Sequence, residues 1–101
     1  MNKKRFIPYQ DVLIESLKDQ EEAIAYLNAA LSDEDPRIFL IALKNILTAQ
    51  GITIPAVAKK TTLNRENLYR ILSDDGNPTL TSMVSILHSV GLNLAVQPLK
   101  K

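Results

Sequence analysis

The sequence predicts an all-α fold: a helix-turn-helix bundle with extra N-terminal helices and a short C-terminal strand. Apolar residues recur every three or four positions along most of the 101 residues, which is the spacing of one face of a helix. Capping residues precede these apolar runs, and glycine follows two of them. Between Thr53 and Ser73, two short helical patterns are separated by only three or four residues, as in a helix-turn-helix.

The composition excludes several kinds of site. The chain has no cysteine and a single histidine, His88, which excludes disulfides, thiolate zinc sites, iron–sulfur clusters and metal sites built from several histidines. No glycine-rich phosphate loop is present, and neither His88 nor any serine has an evident partner base. We therefore expect no enzyme activity, no catalytic residue, no metal and no cofactor.

The chain carries no sign of a membrane or secretory segment. No apolar run approaches the roughly 18 residues of a membrane span, and the N-terminus lacks the apolar region of a signal peptide. We expect a cytoplasmic protein without a membrane partner.

The charges are unevenly distributed, although the net charge is only +1. Residues 1–35 hold four basic and eight acidic groups, whereas residues 36–91 hold six basic and three acidic groups. We expect an acidic N-terminal arm with helices over 1–35 and a helix-turn-helix domain with the C-terminal strand over 36–101, packed as one compact unit. The uneven charge is also compatible with two solvated helix faces that bind nothing.

The acidic part is predicted to be helical after an extended arm at residues 1–10. A short helix is expected over Asp11–Leu17. Asp19 and Glu22 have the spacing of a capping box, in which Asp19 accepts a first-turn amide and Glu22 bonds back to it. The apolar face of the helix that follows is then expected to contain Ile24, Leu27, Ala30 and Leu31.

The central core helix is expected to begin at Asp35-Pro36, because aspartate caps the free amides and proline suits the first helical position. It is expected to end at Gly51. Its apolar residues are Ile38, Leu40, Ile41, Leu43 and Leu47.

Two short helices follow. Thr53 caps a helix that ends at Lys60, and Asn64 caps a second helix with Leu68, Ile71 and Leu72 on one face. In a helix-turn-helix, Ala58 is the small residue at the crossing and Leu68 is the core anchor. Thr62 falls at the turn position that usually has a positive φ and favours glycine, so we expect a reshaped turn there.

The C-terminal part is predicted to contain one helix and one strand. Thr79 caps the helix, and Gly91 ends it. The alternation of Leu92, Leu94 and Val96 with less apolar residues predicts a strand that Pro98 terminates. Such a strand needs a partner, either across a two-fold axis or in the Phe6–Tyr9 arm.

The second short helix carries side chains that can read bases. Arginine bonds guanine, asparagine bonds adenine and glutamate accepts from cytosine, while Lys59, Lys60, Thr53 and nearby amides can hold phosphates. The same side chains also suit the polar face of an ordinary amphipathic helix, held by Arg65–Tyr69 or Glu66–Arg70 pairs. The complete predicted DNA-binding set is Thr53, Lys59, Lys60, Asn64, Arg65, Glu66, Asn67, Tyr69, Arg70 and Ser73.

Three segments together resemble a known family. They are YLNAALSDEDPRIFLIALKNILTAQG, NRENLYRILSDDGNPTLTSMVSILHSVGLNL and the helix-turn-helix between them. The chain resembles, from about Val12 to Val96, the addiction-module antidote (antitoxin) proteins with a lambda-repressor-like (Xre-type) helix-turn-helix. Thr62 replaces the usual turn glycine, and Ile54 stands where repressors often have a phosphate-binding glutamine; both bear on the strength of DNA binding.

The resemblance implies an antitoxin that neutralises a RelE/ParE-like toxin and represses its own operator as a homodimer on double-stranded DNA. Because such toxins are basic, the acidic N-terminal segment suits the toxin contact. Alternatives are a phage-type repressor without a toxin and a helical interaction module that no longer binds DNA. The predicted toxin-binding residues are Asp11, Val12, Leu13, Asp19, Glu21 and Glu22, with Ile24 and Leu27 as further apolar anchors or as core residues.

Overall fold

The computed structural model describes residues 9–73 and 76–99, and these residues contain six α-helices and no strand. The predicted all-α class is confirmed over this part of the chain. Within it, no single helix is both long and apolar enough to cross a membrane. The helices are α1 (Tyr9–Ser16), α2 (Gln20–Leu31), α3 (Pro36–Ala49), α4 (Ile54–Lys60), α5 (Arg65–Ile71) and α6 (Leu80–Ser89).

The chain divides into two compact units, Met1–Thr53 and Ile54–Lys101. In the first unit, α3 packs against both α1 and α2. Leu17, Leu43 and Ile46 are almost completely buried there. The prediction that α3 is a core helix is confirmed, because seven of its 14 residues are buried apolar side chains.

One polar side chain, Asn45 of α3, links the three helices of this unit. Its Oδ1 accepts a 3.0 Å hydrogen bond from Gln10 Nε2 of α1. Its Nδ2 donates a 2.9 Å hydrogen bond to the Tyr26 hydroxyl of α2. Since a half-buried amide needs partners, these two bonds favour one arrangement of the three helices.

The start of α2 confirms half of the predicted capping box. Asp19 Oδ2 accepts a 3.0 Å hydrogen bond from the Glu22 amide, as expected of an N-cap. The predicted return bond from Glu22 is wrong, because the Asp19 amide donates instead to the Ser16 carbonyl.

The predicted apolar faces of α2 and α3 are partly wrong. Ile24 and Leu31 are exposed by 41% and 51%, and Ala23, Leu27 and Ala30 form the buried face of α2. Ile38 and Ile41 of α3 are also exposed. A helix that contacts its neighbours with one face leaves the remaining apolar residues in solvent, and the choice of face depends on the packing.

Both ends of α3 match the sequence prediction. Asp35 Oδ1 accepts from the Arg37 amide at 3.0 Å, and Pro36 is the first helical residue. At the other end, Gly51 has a φ of +67°, which is unfavourable for residues with a Cβ. The Ile52 amide donates to the Leu47 carbonyl across this glycine, which closes the helix end.

The second unit consists of α4, α5 and α6, with α4 packed against the other two. Val57, Leu68 and Ile86, one from each helix, are completely buried. The predicted caps are confirmed for α5 and α6, where Asn64 accepts from the Asn67 amide and Thr79 from the Ser82 amide.

The C-terminal strand is not found. Gly91, with a φ of +82°, follows α6 as predicted, but residues 92–99 have no regular secondary structure. A strand is defined by hydrogen bonds to a neighbour, and no neighbouring strand exists among residues 9–73 and 76–99. Of the Phe6–Tyr9 arm, Phe6–Pro8 lie outside the described residues and Tyr9 begins α1.

Candidate functional site

The candidate site is the exposed face of α5. Leu68 and Ile71 point into the core, being 0% and 7% exposed. The spacing of a helix then turns the intervening side chains to solvent, and Tyr69 is 59% exposed. The other exposed side chains of the face are Arg65, Glu66, Arg70 and, just after the helix, Ser73.

A hydrogen bond between side chains organises this face. Arg70 Nη2 donates to Asn67 Oδ1 at 2.7 Å, and both residues lie on α5 three positions apart. Neither pair considered from the sequence, Arg65–Tyr69 or Glu66–Arg70, is formed among the described residues. Asn67 therefore holds the guanidinium, while the Glu66 carboxylate stays in solvent.

An open groove of about 240 Å³ lies beside this pair, within the second unit. Asn67 and Arg70 line one side, and Asn77, Thr79 and Ser82 line the other. Neither Asn77 nor Ser82 is among the site residues predicted from the sequence. The turn-forming Asn77-Pro78 and the cap at Thr79 place them beside α5, and only the packing of α5 reveals this.

The connection between α4 and α5 runs from Thr61 to Asn64, and a threonine shapes it. Thr61 Oγ1 donates to the Val57 carbonyl at 3.0 Å and accepts from the Leu63 amide at 3.1 Å. Among the described residues, none other than glycine has a positive φ, so Thr62 avoids the left-handed conformation. The expected reshaped turn is confirmed.

The second unit is positively charged. Residues 54–101 hold six basic side chains, among them Lys59, Lys60, Arg65 and Arg70, against three carboxylates. Lys59 and Lys60 are exposed in the last turn of α4, and Thr53 is exposed directly before its first residue. No ion pair forms among the described residues of this unit.

The first unit has the opposite charge. Residues 1–53 hold eight carboxylates against six basic side chains, three of which are Lys3, Lys4 and Arg5 at the start of the sequence. Of the residues predicted to contact a toxin, Asp11, Glu21 and Glu22 are exposed, Val12 is 50% exposed and Leu13 is half-buried. Two others have structural roles: Asp19 caps α2, and Leu27, considered as a further anchor, is buried in the core.

Comparison with known proteins identifies the family. The sequence model of the family described as "Probable addiction module antidote protein" matches residues 10–98. The chain belongs to this family. The chain is also 32% identical over 83 residues to a protein of Haemophilus influenzae (strain ATCC 51907 / DSM 11121 / KW20 / Rd) described as "Uncharacterized protein". That match covers 82% of the chain and 84% of the relative. No solved structure matches the sequence at a significant level.

Membership of the antidote family bears directly on function. It supports an antitoxin role in an addiction module and implies a toxin as partner. It also suggests a regulatory protein rather than an enzyme. The expectation of an antitoxin, made from the sequence, is confirmed at this level.

Proposed function

We propose that this antidote-family protein neutralises a RelE/ParE-like toxin and represses its own operator. In this proposal, α4 and α5 form a lambda-repressor-like (Xre-type) helix-turn-helix, and α5 lies in the major groove of double-stranded DNA. The observation that carries the proposal is the exposed face of α5, where Arg65, Asn67 and Arg70 stand above the buried Leu68 and Ile71.

The chemistry of this face suits base recognition. An arginine can donate two hydrogen bonds to guanine O6 and N7, and an exposed glutamate can accept from cytosine N4. Because Asn67 Oδ1 accepts from Arg70 Nη2, the guanidinium is oriented before DNA arrives. A side chain fixed in advance loses less conformational entropy on binding.

Phosphate contacts are expected from the residue before α4, from the end of α4 and from the two ends of α5. Lys59 and Lys60 at the end of α4 supply charge, while the hydroxyl groups of Thr53 and Ser73 and the side chain of Asn64 supply hydrogen bonds. In a homodimer bound to a palindromic operator, the two copies of α5 enter the major groove about 34 Å apart. Phosphate contacts position the protein along the DNA, and the exposed side chains of α5 then recognise the base sequence.

The toxin site is proposed on the first unit. The first unit exposes carboxylates at Asp11, Asp19, Glu21 and Glu22 and carries possible apolar contacts at Val12 and Leu13, and a basic toxin complements this charge. The phosphates of DNA have the same sign of charge as these exposed carboxylates and are repelled by them. Two partners of opposite charge are thereby assigned to two different units.

DNA binding is tested with the promoter of the chain's own gene at several salt concentrations. We expect affinity that falls steeply as salt rises, because bound cations release counterions from DNA. A non-specific duplex of the same length serves as the control. Equal affinity for both duplexes, or none for either, would leave a helical interaction module that does not read an operator.

Toxin binding is tested by recovering the tagged protein from its native host and identifying bound proteins by mass. We expect a small basic protein encoded by an adjacent gene. Recovery of no such partner, together with salt-sensitive operator binding, would instead indicate a repressor of the phage type without a toxin.

A further inference from the structure

The segment that follows α6 has the sequence of a strand, but it has no neighbouring strand among residues 9–73 and 76–99. Leu92 and Leu94 are half-buried, whereas Val96 is 100% exposed. From Ser89 to Leu99 the chain contains no charged residue. Exposed strand edges usually carry charges or other devices that prevent pairing, and this segment carries none before Pro98. An uncharged segment with alternating apolar residues is therefore open to pairing with another strand.

The backbone at both ends of the segment shows which of its edges is free. The Leu92 amide already donates to the Leu87 carbonyl of α6 at 2.9 Å, and Pro98 has no amide hydrogen to donate. In an antiparallel pair, successive residues point their N–H and C=O groups alternately toward and away from the neighbour. Residues 92, 94, 96 and 98 point their backbone N–H groups to one edge of the segment, and residues 93, 95 and 97 point theirs to the other. The backbone amides of Asn93, Ala95 and Gln97 are therefore the ones available to a partner.

The burial of the side chains shows the same alternation between even-numbered and odd-numbered residues. Leu92 and Leu94, the two half-buried ones, lie on the same face of an extended segment as Val96. Asn93, Ala95 and Gln97 are exposed. Pairing along the free edge would therefore produce a ribbon with one apolar face and one polar face, and it would add apolar neighbours for Val96.

We propose that residues 92–98 pair, antiparallel, with the same segment of a second copy of the chain, with the two-fold axis at Ala95. This inference rests on the proposed homodimer and assigns its contact. The register places Asn93 opposite the partner's Gln97 and Leu94 opposite the partner's Val96. The backbone amides of Asn93, Ala95 and Gln97 then all find acceptors, and the larger apolar side chains, Leu92, Leu94 and Val96, face the same side.

A second copy fits this edge better than a toxin does. The segment is self-complementary about Ala95, because apolar positions meet apolar positions and polar positions meet polar ones. It offers no charge with which to select a basic partner, whereas the carboxylates of the first unit do.

Single cysteines test the register, since the natural chain has none. In the proposed pair, the two copies of residue 95 have Cα atoms about 5.5 Å apart, within the range that a disulfide bridges. We expect Ala95→Cys to form disulfide-linked dimers at least roughly tenfold faster than Leu94→Cys, whose copies would lie more than about 7 Å apart. A mixture of Leu94→Cys with Val96→Cys should cross-link, although neither does so efficiently alone.

Analytical ultracentrifugation of the unmodified chain separates the possible failures. A dimer whose Ala95→Cys variant does not cross-link would overturn the strand pairing and leave the proposed homodimer standing. Faster cross-linking of Leu94→Cys than of Ala95→Cys would overturn the register. A chain that stays monomeric at all concentrations would overturn both the pairing and the homodimer, while toxin binding would be decided by its own experiment.

Proline substitutions supply a test that does not depend on oxidation. Ala95→Pro removes an amide that faces the partner, whereas Val96→Pro removes one that faces away. We expect the dimer dissociation constant to rise roughly tenfold or more for Ala95→Pro and clearly less for Val96→Pro. Circular dichroism checks that the six helices remain in both variants. Equal increases in the dissociation constant for Ala95→Pro and Val96→Pro would contradict the proposal that the residue 95 amide faces the partner and the residue 96 amide faces away.

Discussion

Arg70 Nη2 and Asn67 Oδ1 are joined by a 2.7 Å hydrogen bond on the exposed face of α5. The backbone N–H of Asn67 donates a 2.8 Å hydrogen bond to Oδ1 of the N-cap residue Asn64. The start of the helix, the asparagine and the arginine thus form one connected chain of hydrogen bonds. This connection makes Asn67 a positioning residue for Arg70 in the proposed DNA interface.

The Arg70–Asn67 bond predicts that the two residues act together on DNA. We expect Asn67→Ala to weaken operator binding and to reduce the further cost of Arg70→Ala, because the freed guanidinium has already lost its orientation. A double-mutant cycle on operator affinity measures this coupling. Additive losses would show that Asn67 acts independently of Arg70.

The two arginines of α5 are expected to carry base recognition. Replacing Arg65 or Arg70 with alanine should each cost about 1–3 kcal/mol of operator binding if the side chain bonds guanine through two hydrogen bonds. Lys44→Ala, which removes an exposed charge from the first unit, is the matched control and should leave binding unchanged. Fluorescence anisotropy with labelled operator gives the affinities. If neither arginine variant changes the affinity, α5 does not read bases with this face.

Reversal of the acidic charges should separate the two proposed partners. We expect Glu21→Lys combined with Glu22→Lys to weaken toxin binding at least roughly tenfold and to spare operator binding, since basic toxins select acidic surfaces. Asp19 is kept in this variant because it caps α2. Isothermal titration with purified toxin measures the change.

The control for that variant has the same change in charge elsewhere on the unit. Glu15→Lys combined with Glu34→Lys alters two exposed carboxylates, of which Glu15 makes only an exposed ion pair with Lys18. Toxin affinity that is equal in the two double variants would mean that overall charge, and not the first turn of α2, governs the contact.

Two neighbouring residues of α3 should differ sharply in their effect on stability. Leu43 is 0% exposed and Ile41 is 48% exposed. Leu43→Ala should reduce the free energy of unfolding by about 2–5 kcal/mol, because it leaves a cavity in the core. Ile41→Ala should cost about 1 kcal/mol or less. Urea unfolding compares the two; similar losses would contradict the observed orientation of α3.

The cap of α3 predicts a specific dependence on pH. The Arg37 guanidinium and the Arg37 amide both donate to the Asp35 carboxylate, and these bonds lower its pKa below the usual 3.8. A carboxyl whose pKa is lower in the folded state stabilises the fold above its unfolded pKa. That contribution is lost as the pH falls through the folded value.

Carbon NMR of the Asp35 carboxyl should therefore give a midpoint below 3.8, and Arg37→Ala should raise it. Asp35→Asn keeps an N-cap but does not titrate, so its stability should depend less on pH below about 4. A midpoint at or above 3.8 in the natural chain would contradict the hydrogen bonds seen at this cap.

The helical class and most helix ends could be predicted from local sequence patterns, and the family could be predicted from resemblance. Caps and glycines act through bonds between residues close together in the chain, as at Asp35, Asn64, Thr79 and Gly51, so local pattern is enough to find them. The proposed reading face of α5 also followed from local spacing, since burial of Leu68 and Ile71 turns the residues between them outward.

Two features could not be predicted from the sequence: which apolar faces are buried, and which of two possible partners a side chain takes. Ile24, Ile38 and Ile41 have the composition of core residues, yet their exposure depends on where neighbouring helices lie. Arg70 likewise bonds to Asn67, three residues before it, and not to Glu66, four residues before it, although helical spacing permits both pairs. Residues 92–98 show the same limit most clearly. Their alternating sequence predicts a strand, but a strand exists only when another backbone accepts its hydrogen bonds.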